Sequence, residues 1–367
     1  MLKEQKNYLV KKGNDMNRNR YRILPLLLVM LVLTAFTAAW SETATATTPV
    51  DVSKLSNAVK WVYMSDDYKI CCAQAYQSAS QRLPQLVKDK KPGTWCVVVD
   101  MDETIVSNVE AQAILETSGE KYSRANWIKW CEMEKCTPLE GALEFNGKVK
   151  QLGGLYLVVT NRGVEEQKAT IENLDKIGFK YDAAVFKAGP YATDETKQWR
   201  RDDIEAGTLK GLPGGKSLPP LNIVMLAGDQ LSDIYDPVCY GLDDVKGEVA
   251  EKAVFLPNPM YGYWEQDYKG FTNKKVKVGE EFCIWLKSNV TTGYSWSLDP
   301  SVKSDVVKKV SNVYKAPKTE MCGAGGVEVW KFKAVAKGKV KLILNYSRPF
   351  DKGVKPAQVK TFNITVE

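Results

Sequence analysis

The sequence predicts an α/β domain built on a parallel sheet, followed by a separate all-β sandwich. Three observations carry that prediction. Short apolar runs alternate with helical stretches from about residue 95 to 258, and crossover-length connections argue a parallel sheet covered on both faces. After about residue 268 apolar residues recur at every second position, the period of a half-buried strand. The chain has 367 residues, enough for two domains once a leader is set aside.

Residues 24–40, LPLLLVMLVLTAFTAAW, are uncharged and mostly apolar, with basic residues before them and small residues at their end. This reads as a secretory signal over 1–41, cut near Thr37–Ala39, with an uncleaved anchor as the alternative. Met16 opens a more typical signal than Met1. A periplasmic or secreted protein is expected, with no stable membrane contact once the leader is removed. The domains then run over 42–266 and 267–367.

Leu55, Val59 and Val62, then Ala75, Tyr76, Ala79, Leu83 and Leu86, recur at helical spacing, and Pro84 marks a kink or a new turn. Pro92-Gly93 stops the pattern. WCVVV (95–99) is a buried strand and 109–116 a helix. Residues 121–143 lack a clean period and are rich in Trp and Cys, as in a cap inserted between elements. Strands follow at 155–160, 183–187, 222–228 and 253–258, with helices over 164–177 and from near Asp194. The α/β part is therefore Rossmann-like with a cap insert. The period-two runs KVKVGEEFCIWLKS, VEVWKFKAVA, KVKLILNYS and TFNITV build the sandwich.

Composition excludes several chemistries. The chain contains no histidine, so Ser-His and Cys-His catalysis, phosphohistidine and His-ligated zinc are all closed to it. Proton transfer near neutral pH falls to carboxylate, Lys, Tyr or Cys. The net charge of +7 is spread rather than clustered outside the leader, so nucleic acid is not an expected partner. Eight cysteines allow disulfides in an exported chain. Cys283 and Cys322 are one candidate pair within the sandwich.

Four polar segments fall in chain order: Asp100-Met101-Asp102-Glu103-Thr104, Thr160-Asn161-Arg162, Lys197 with Arg200, and Gly228-Asp229-Gln230-Leu231-Ser232-Asp233. Most of them end strands, and in a parallel sheet strand ends share one edge, where such folds bind ligands. Crowded carboxylates there require a cation or a shared proton. The residue types suit Mg²⁺, a hard ion that prefers oxygen donors, with ligands from Asp100 and Asp229 and the backbone carbonyl of Asp102. Asp100 is the expected nucleophile toward phosphorus. Asp102 is the expected proton carrier, its pKa raised by burial and like charge. Thr160 and Lys197 would hold phosphoryl oxygens. Asn161 and Arg200 support that arrangement, and Asp233 orients Lys197 or a metal-bound water.

These segments resemble the haloacid dehalogenase-like (HAD-like) phosphohydrolases, and in detail the class C acid phosphatases. The resemblance covers about residues 58–266, through VVVDMDETIVSN, PLEGALEF, VVTNR, TKQWR, AGDQLSD and FLPNPMYGYWE. It implies a Mg²⁺-dependent acid phosphatase acting on phosphomonoesters, with 5′-nucleotides as a substrate class. Trp127, Trp130 and Tyr261 then match base-stacking positions, although packing in the core or lid suits each equally well.

In the β region, Thr291-Thr292-Gly293-Tyr294, Gly323-Ala324-Gly325-Gly326 and Arg348-Pro349-Phe350 occur in order. Together they resemble the loops of the chagasin family, inhibitors of papain-like cysteine proteases with an immunoglobulin-like sandwich. A Gly-rich loop lets backbone approach a protease nucleophile, while Tyr294, Phe350 and Arg348 supply anchors. That family usually has Pro after the Asn and Trp after Arg-Pro. Val290 and Phe350 stand there instead, which implies weaker inhibition. The alternative readings are a protease inhibitor on a catalytically idle HAD-like scaffold, or a phosphotransferase on the same scaffold.

Overall fold

Strand Trp95–Val99 (β1) is buried along its whole length, and the α/β half is arranged around it. The structure, a computed structural model, describes residues 50–240, 246–247, 250–266, 269–317, 323–351 and 353–367. The leader expected over 1–41 lies outside the described residues.

Two helices precede β1: α1 (Asn57–Met64) and α2 (Asp66–Val87). Ser56 and Ser65 cap them by accepting from backbone N–H groups of their first turns. Helix α2 buries Tyr68, Cys72, Tyr76, Ala79, Leu83 and Val87, one stripe three or four residues apart. Pro84 lies inside α2 rather than ending it. After β1 come β2 (Val106–Ser107), α3 (Val109–Ser118), α4 (Arg124–Glu132), β3 (Thr137–Pro138) and α5 (Ala142–Gln151). The segment read as a cap is thus one short helix and half of a two-stranded ribbon, β2 with β3.

The alternation then continues through β4 (Leu155–Val159), α6 (Gln167–Ile177), β5 (Ala183–Val185), α7 (Gln198–Ala206), β6 (Asn222–Gly228), α8 (Leu231–Ile234) and β7 (Ala253–Phe255). Gly178 closes α6 in the left-handed conformation. The sheet order is β5-β4-β1-β6-β7, and every pairing is parallel. From β1 the chain goes first to β4 and β5 on one side, then crosses to β6 on the other. The boundary between β1 and β6 is therefore a topological switch point, where a crevice opens at the carboxyl ends. Successive β1 side chains serve two cores, Val97 and Val99 with Tyr76 and Phe145, Cys96 and Val98 with Leu157 and Ile204.

The all-β half comprises β8 (Asn273–Val276), β9 (Glu281–Ser288), β10 (Ser295–Leu298), β11 (Val307–Lys315), β12 (Gly326–Ala334), β13 (Gly338–Ser347) and β14 (Gln358–Val366). They form two sheets, β10-β13-β14-β8 and β11-β12-β9. Phe282, Ile284, Leu286, Trp296, Phe332 and Phe362 lie between them. On β9 the alternate residues Cys283 and Trp285 are also buried, against Trp199 of α7 and Tyr240. That covered outer face explains why EFCIWL reads as a nearly continuous apolar run. Cys283 is a free buried thiol, and Cys322, its suggested partner, lies outside the described residues.

Candidate functional site

Asp100 follows β1 and Asp229 follows β6, the two strands that flank the switch point. Their register, Val99 opposite Ala227, brings these strand ends side by side, and Asp100 N–H donates to Ala227 O at 2.9 Å. Asp233, on α8 one turn further, returns over Gly228. A methyl group at Gly228 would overlap the Asp233 side chain, so only glycine fits there. One carboxylate oxygen from each of Asp100, Asp229 and Asp233 lies within 4.8 Å of the others, and all three residues are buried. The sequence reading gave Asp233 an orienting role; its carboxylate is a full member of the cluster.

Lys197 sits at the N-cap of α7 with φ +56°, a costly conformation for a residue with a side chain. Its ammonium pairs with Asp100 and, at 2.7 Å, with Asp233. Burial works against that charge, but Asp100 and Asp233 outweigh it and hold Lys197 above its ordinary pKa. Burial raises Asp100 to about 7, opposed by Lys197 and reinforced by Asp233 and Asp102. Burial, then Asp233 and Asp100, pushes Asp229 well above the carboxylate range, although Asn258 pulls the other way. Asn258 Nδ2 donates to Asp229 at 2.8 Å.

Asp102 faces different company. Arg162 donates to its carboxylate through Nη2 at 2.6 Å and through Nε at 3.1 Å, and Asn108 Nδ2 adds a bond at 2.9 Å. A guanidinium thus stands beside Asp102, in addition to the like charges of Asp100 and Glu103. The Asp102 side chain is 21% exposed and that of Asp100 9%, so Asp102 stands nearer the opening. Arg162 is held by Thr170 Oγ1 at 3.0 Å and lies 5.2 Å from the Trp127 ring centroid. Asn108 also links Asp102 to Glu103, since its Nδ2 reaches Glu103 at 3.0 Å and its backbone N–H at 2.6 Å. Glu103 is fully buried at φ +52° and accepts from the Tyr261 hydroxyl. Burial, then Asp102, raises Glu103 to about 8.

Thr160 and Asn161 follow β4 at the same edge. Thr160 is buried, and its Oγ1 accepts from Arg162 N–H at 3.0 Å. Arg200 makes an ion pair with Asp194 at 3.0 Å and donates to Thr160 O and Asn161 Oδ1, both at 2.6 Å. It ties the β4 turn to the loop before α7 and makes no bond to the acidic cluster. The stacking candidates separate. Trp130 is buried and donates to Asn108 Oδ1 at 2.8 Å, which corrects it to a packing residue. Trp127 and Tyr261 are part-buried and lie beside the Asp102–Glu103 network.

Sequence reasoning assigned no role to Asn108, Glu103, Arg162 or Asn258. Two of them carried a legible signal. Arg162 adjoins Thr160 at a strand end, and Asn258 lies within the PNPMYG segment.

The three loops of the sandwich meet at one end. Asn289 Nδ2 donates to Gly323 O at 2.8 Å, and Arg348 Nε donates to Thr292 O at 3.0 Å. Val290–Thr292 is a 3₁₀ turn, and Gly293 leaves it with φ +79°. The Arg348 guanidinium lies 4.6 Å from the Tyr294 ring centroid, and Tyr294 stacks on Tyr346 at 5.2 Å. Phe350 is 68% exposed beside Gly293. Gly325 lies over Ser288 O, and a side chain at Gly326 would overlap Lys315 O.

Comparison with known proteins agrees with both halves. The family HAD superfamily, subfamily IIIB (acid phosphatase) matches residues 31–264. The chagasin family of peptidase inhibitors, I42, matches residues 275–366. Chagasin of Trypanosoma cruzi is 36% identical over 78 residues, which cover 20% of this chain and 71% of that protein. Among solved structures, the class C acid phosphatase from Bacillus anthracis is 24% identical with a TM-score of 0.48, covering 58% of this chain and 88% of its own. Leishmania mexicana ICP is 35% identical with a TM-score of 0.21, covering 26% and 90%. The first family match spans well over half of the chain, and the second half has a close relative. The chain belongs to the acid phosphatases of HAD subfamily IIIB, is a phosphomonoesterase by that membership, and carries a chagasin-family inhibitor domain behind the enzyme.

Proposed function

We propose that the protein is an exported, Mg²⁺-dependent phosphomonoesterase that works through an aspartyl-phosphate on Asp100, and that its second domain inhibits papain-like cysteine proteases. The observation that carries the enzymatic part is the meeting of Asp100, Asp229, Asp233 and Lys197 at the switch point. Three convergent carboxylates are hard oxygen donors and fit Mg²⁺. Asp100 and Asp229 would hold the ion, with Asp233 and the Asp102 carbonyl beside them. When bound it offsets the repulsion between a carboxylate nucleophile and a phosphoryl group.

The protein's own residues account for the remaining steps. An Asp100 oxygen attacks phosphorus; the new O–P bond forms as the ester P–O bond breaks. Asp102, nearer the opening, gives its proton to the leaving oxygen. It then takes a proton from the water that cleaves the aspartyl-phosphate, releasing phosphate and restoring Asp100. Arg162 and Asn108 fix the Asp102 carboxylate for both transfers. Lys197 holds Asp100 in place and presents a compact positive charge toward phosphoryl oxygens. Nucleoside 5′-monophosphates suit the site because Trp127 and Tyr261 offer rings beside it.

The inhibitor reading rests on the convergence of Tyr294, Phe350 and Arg348 around a glycine-rich loop. Aromatic and Arg side chains often dominate interface energies. The apolar leader supports export. The test uses residues 42–367. Phosphate release from a nucleotide panel should require Mg²⁺ and stop in excess chelator, and the same preparation should inhibit papain. Full turnover in chelator would count against the metal; free papain activity at micromolar protein would count against the inhibitor.

A further inference from the structure

Strand β9 lies along α7. Helix α7 begins at the catalytic edge, where Lys197 holds Asp100. It ends at the opposite edge of the sheet. There the Ile204 carbonyl accepts from Leu221 N–H at 3.2 Å, and Asn222 N–H donates to Thr94 O at 3.0 Å, just before β1. Strand β9 follows the same course. Thr193, ahead of α7, donates to Glu281 O at 2.7 Å. Lys331, the β12 partner of Cys283, lies 4.6 Å from the Trp199 ring centroid. Trp285 Nε1 then donates to Asp202 at 3.1 Å, and Lys315 pairs with the same carboxylate at 2.6 Å.

Residues 193, 199 and 202 of the phosphatase domain thus meet positions 281, 283 and 285 of the strand in order. Asp202 lies five residues beyond Lys197, about 7 Å along the helix axis. The strand continues from Trp285 to the first loop at Asn289 for about 13 Å more. The first loop therefore lies roughly 20 Å along this direction from the catalytic lysine, toward the sheet edge opposite the acidic cluster. The other two loops are bonded to it, through Gly323 and Arg348. Cys239, Cys283, Trp285 and Trp199 form an apolar seam that fixes this relation.

We propose that one molecule binds a papain-like protease and turns over a phosphomonoester at the same time, the two sites lying back to back. This rests on the inhibitor reading above. The test titrates the full chain with papain blocked at its catalytic thiol by a methylthio group, following complex formation by light scattering. At saturation, kcat/KM for a small phosphomonoester should stay within threefold of the free enzyme, and saturating orthovanadate, a phosphate mimic, should leave papain affinity within threefold. A larger loss of either, with the complex formed, overturns the back-to-back arrangement. If no complex forms, the inhibitor reading fails, and this inference falls with it.

Discussion

A single lysine, Lys197, pairs with two of the three clustered carboxylates, Asp100 and Asp233. Lys197→Ala removes the cation from a cluster whose members lie within 4.8 Å. Losing one such preorganised charge costs about 10²–10³ in rate, so kcat should fall by that much, read by steady-state phosphate release. Arg162 acts on the second aspartate. Arg162→Met leaves Asp102 without its guanidinium partner, and removing one side of a buried pair costs about 3 kcal/mol. Both thermal stability and kcat should drop, and Arg162→Lys should restore stability better than the fork-like geometry at Asp102. The carboxyl groups also set a pH signature. Asp100 is raised to about 7 and Glu103 to about 8, from ordinary values of 3.8 and 4.5. The folded state then holds more protons than the unfolded one between about pH 4 and 8, so their contribution to stability declines as pH rises through that window. In chelator, the Tm should fall from pH 4 to pH 8, and Mg²⁺ should recover more of it at the higher pH. A flat profile in chelator would contradict this electrostatic description.

Single residues were legible where a strand ended in them. Asp100 and Asp229 follow apolar runs, so their convergence was readable from the alternation alone. Asp233 was legible as a partner of Lys197, but its place in the cluster was not, because that depends on how tightly α8 folds back over Gly228. Asn108 and Glu103 gave no signal, since their roles arise from one amide reaching two carboxylates. Trp130 was open to stacking and to packing alike, because sequence does not tell a buried indole from an open one.

At the scale of elements, β1 and β6 are fixed by burial on both faces, and the turns after them carry the site. Gly228→Ala tests this directly. The added methyl would push Asp233 away, so Mg²⁺ should be required at concentrations at least tenfold higher, while far-UV circular dichroism stays unchanged. In the sandwich, Arg348→Ala removes both the bond to Thr292 and the cation over Tyr294. A residue of this kind at an interface centre contributes more than about 1 kcal/mol, so the inhibition constant toward papain should rise at least fivefold. The long β strands were readable from their period, with one exception. Strand β11 escaped notice because Val310 and Val313 are exposed, which hides the alternation. The helix expected from near Asp194 starts at Gln198, and Asp194 lies ahead of it, its carboxylate accepting from the backbone N–H groups of Trp199 and Arg200.

At the scale of the whole molecule, the succession of an α/β part and an all-β part was readable from the change of period along the chain. The seam between them was not. Trp199, Asp202 and Trp285 lie far apart in the chain, and no local pattern links them. Asp100 is the residue proposed to take up the phosphoryl group. The most direct measurement quenches turnover in acid within milliseconds, using substrate carrying a labelled phosphoryl group, and maps the label by peptide mass spectrometry. Label on the peptide bearing Asp100, lost in Asp100→Asn together with activity, is the predicted result. Continued turnover by Asp100→Asn, with no labelled carboxylate in the unaltered protein, would contradict it.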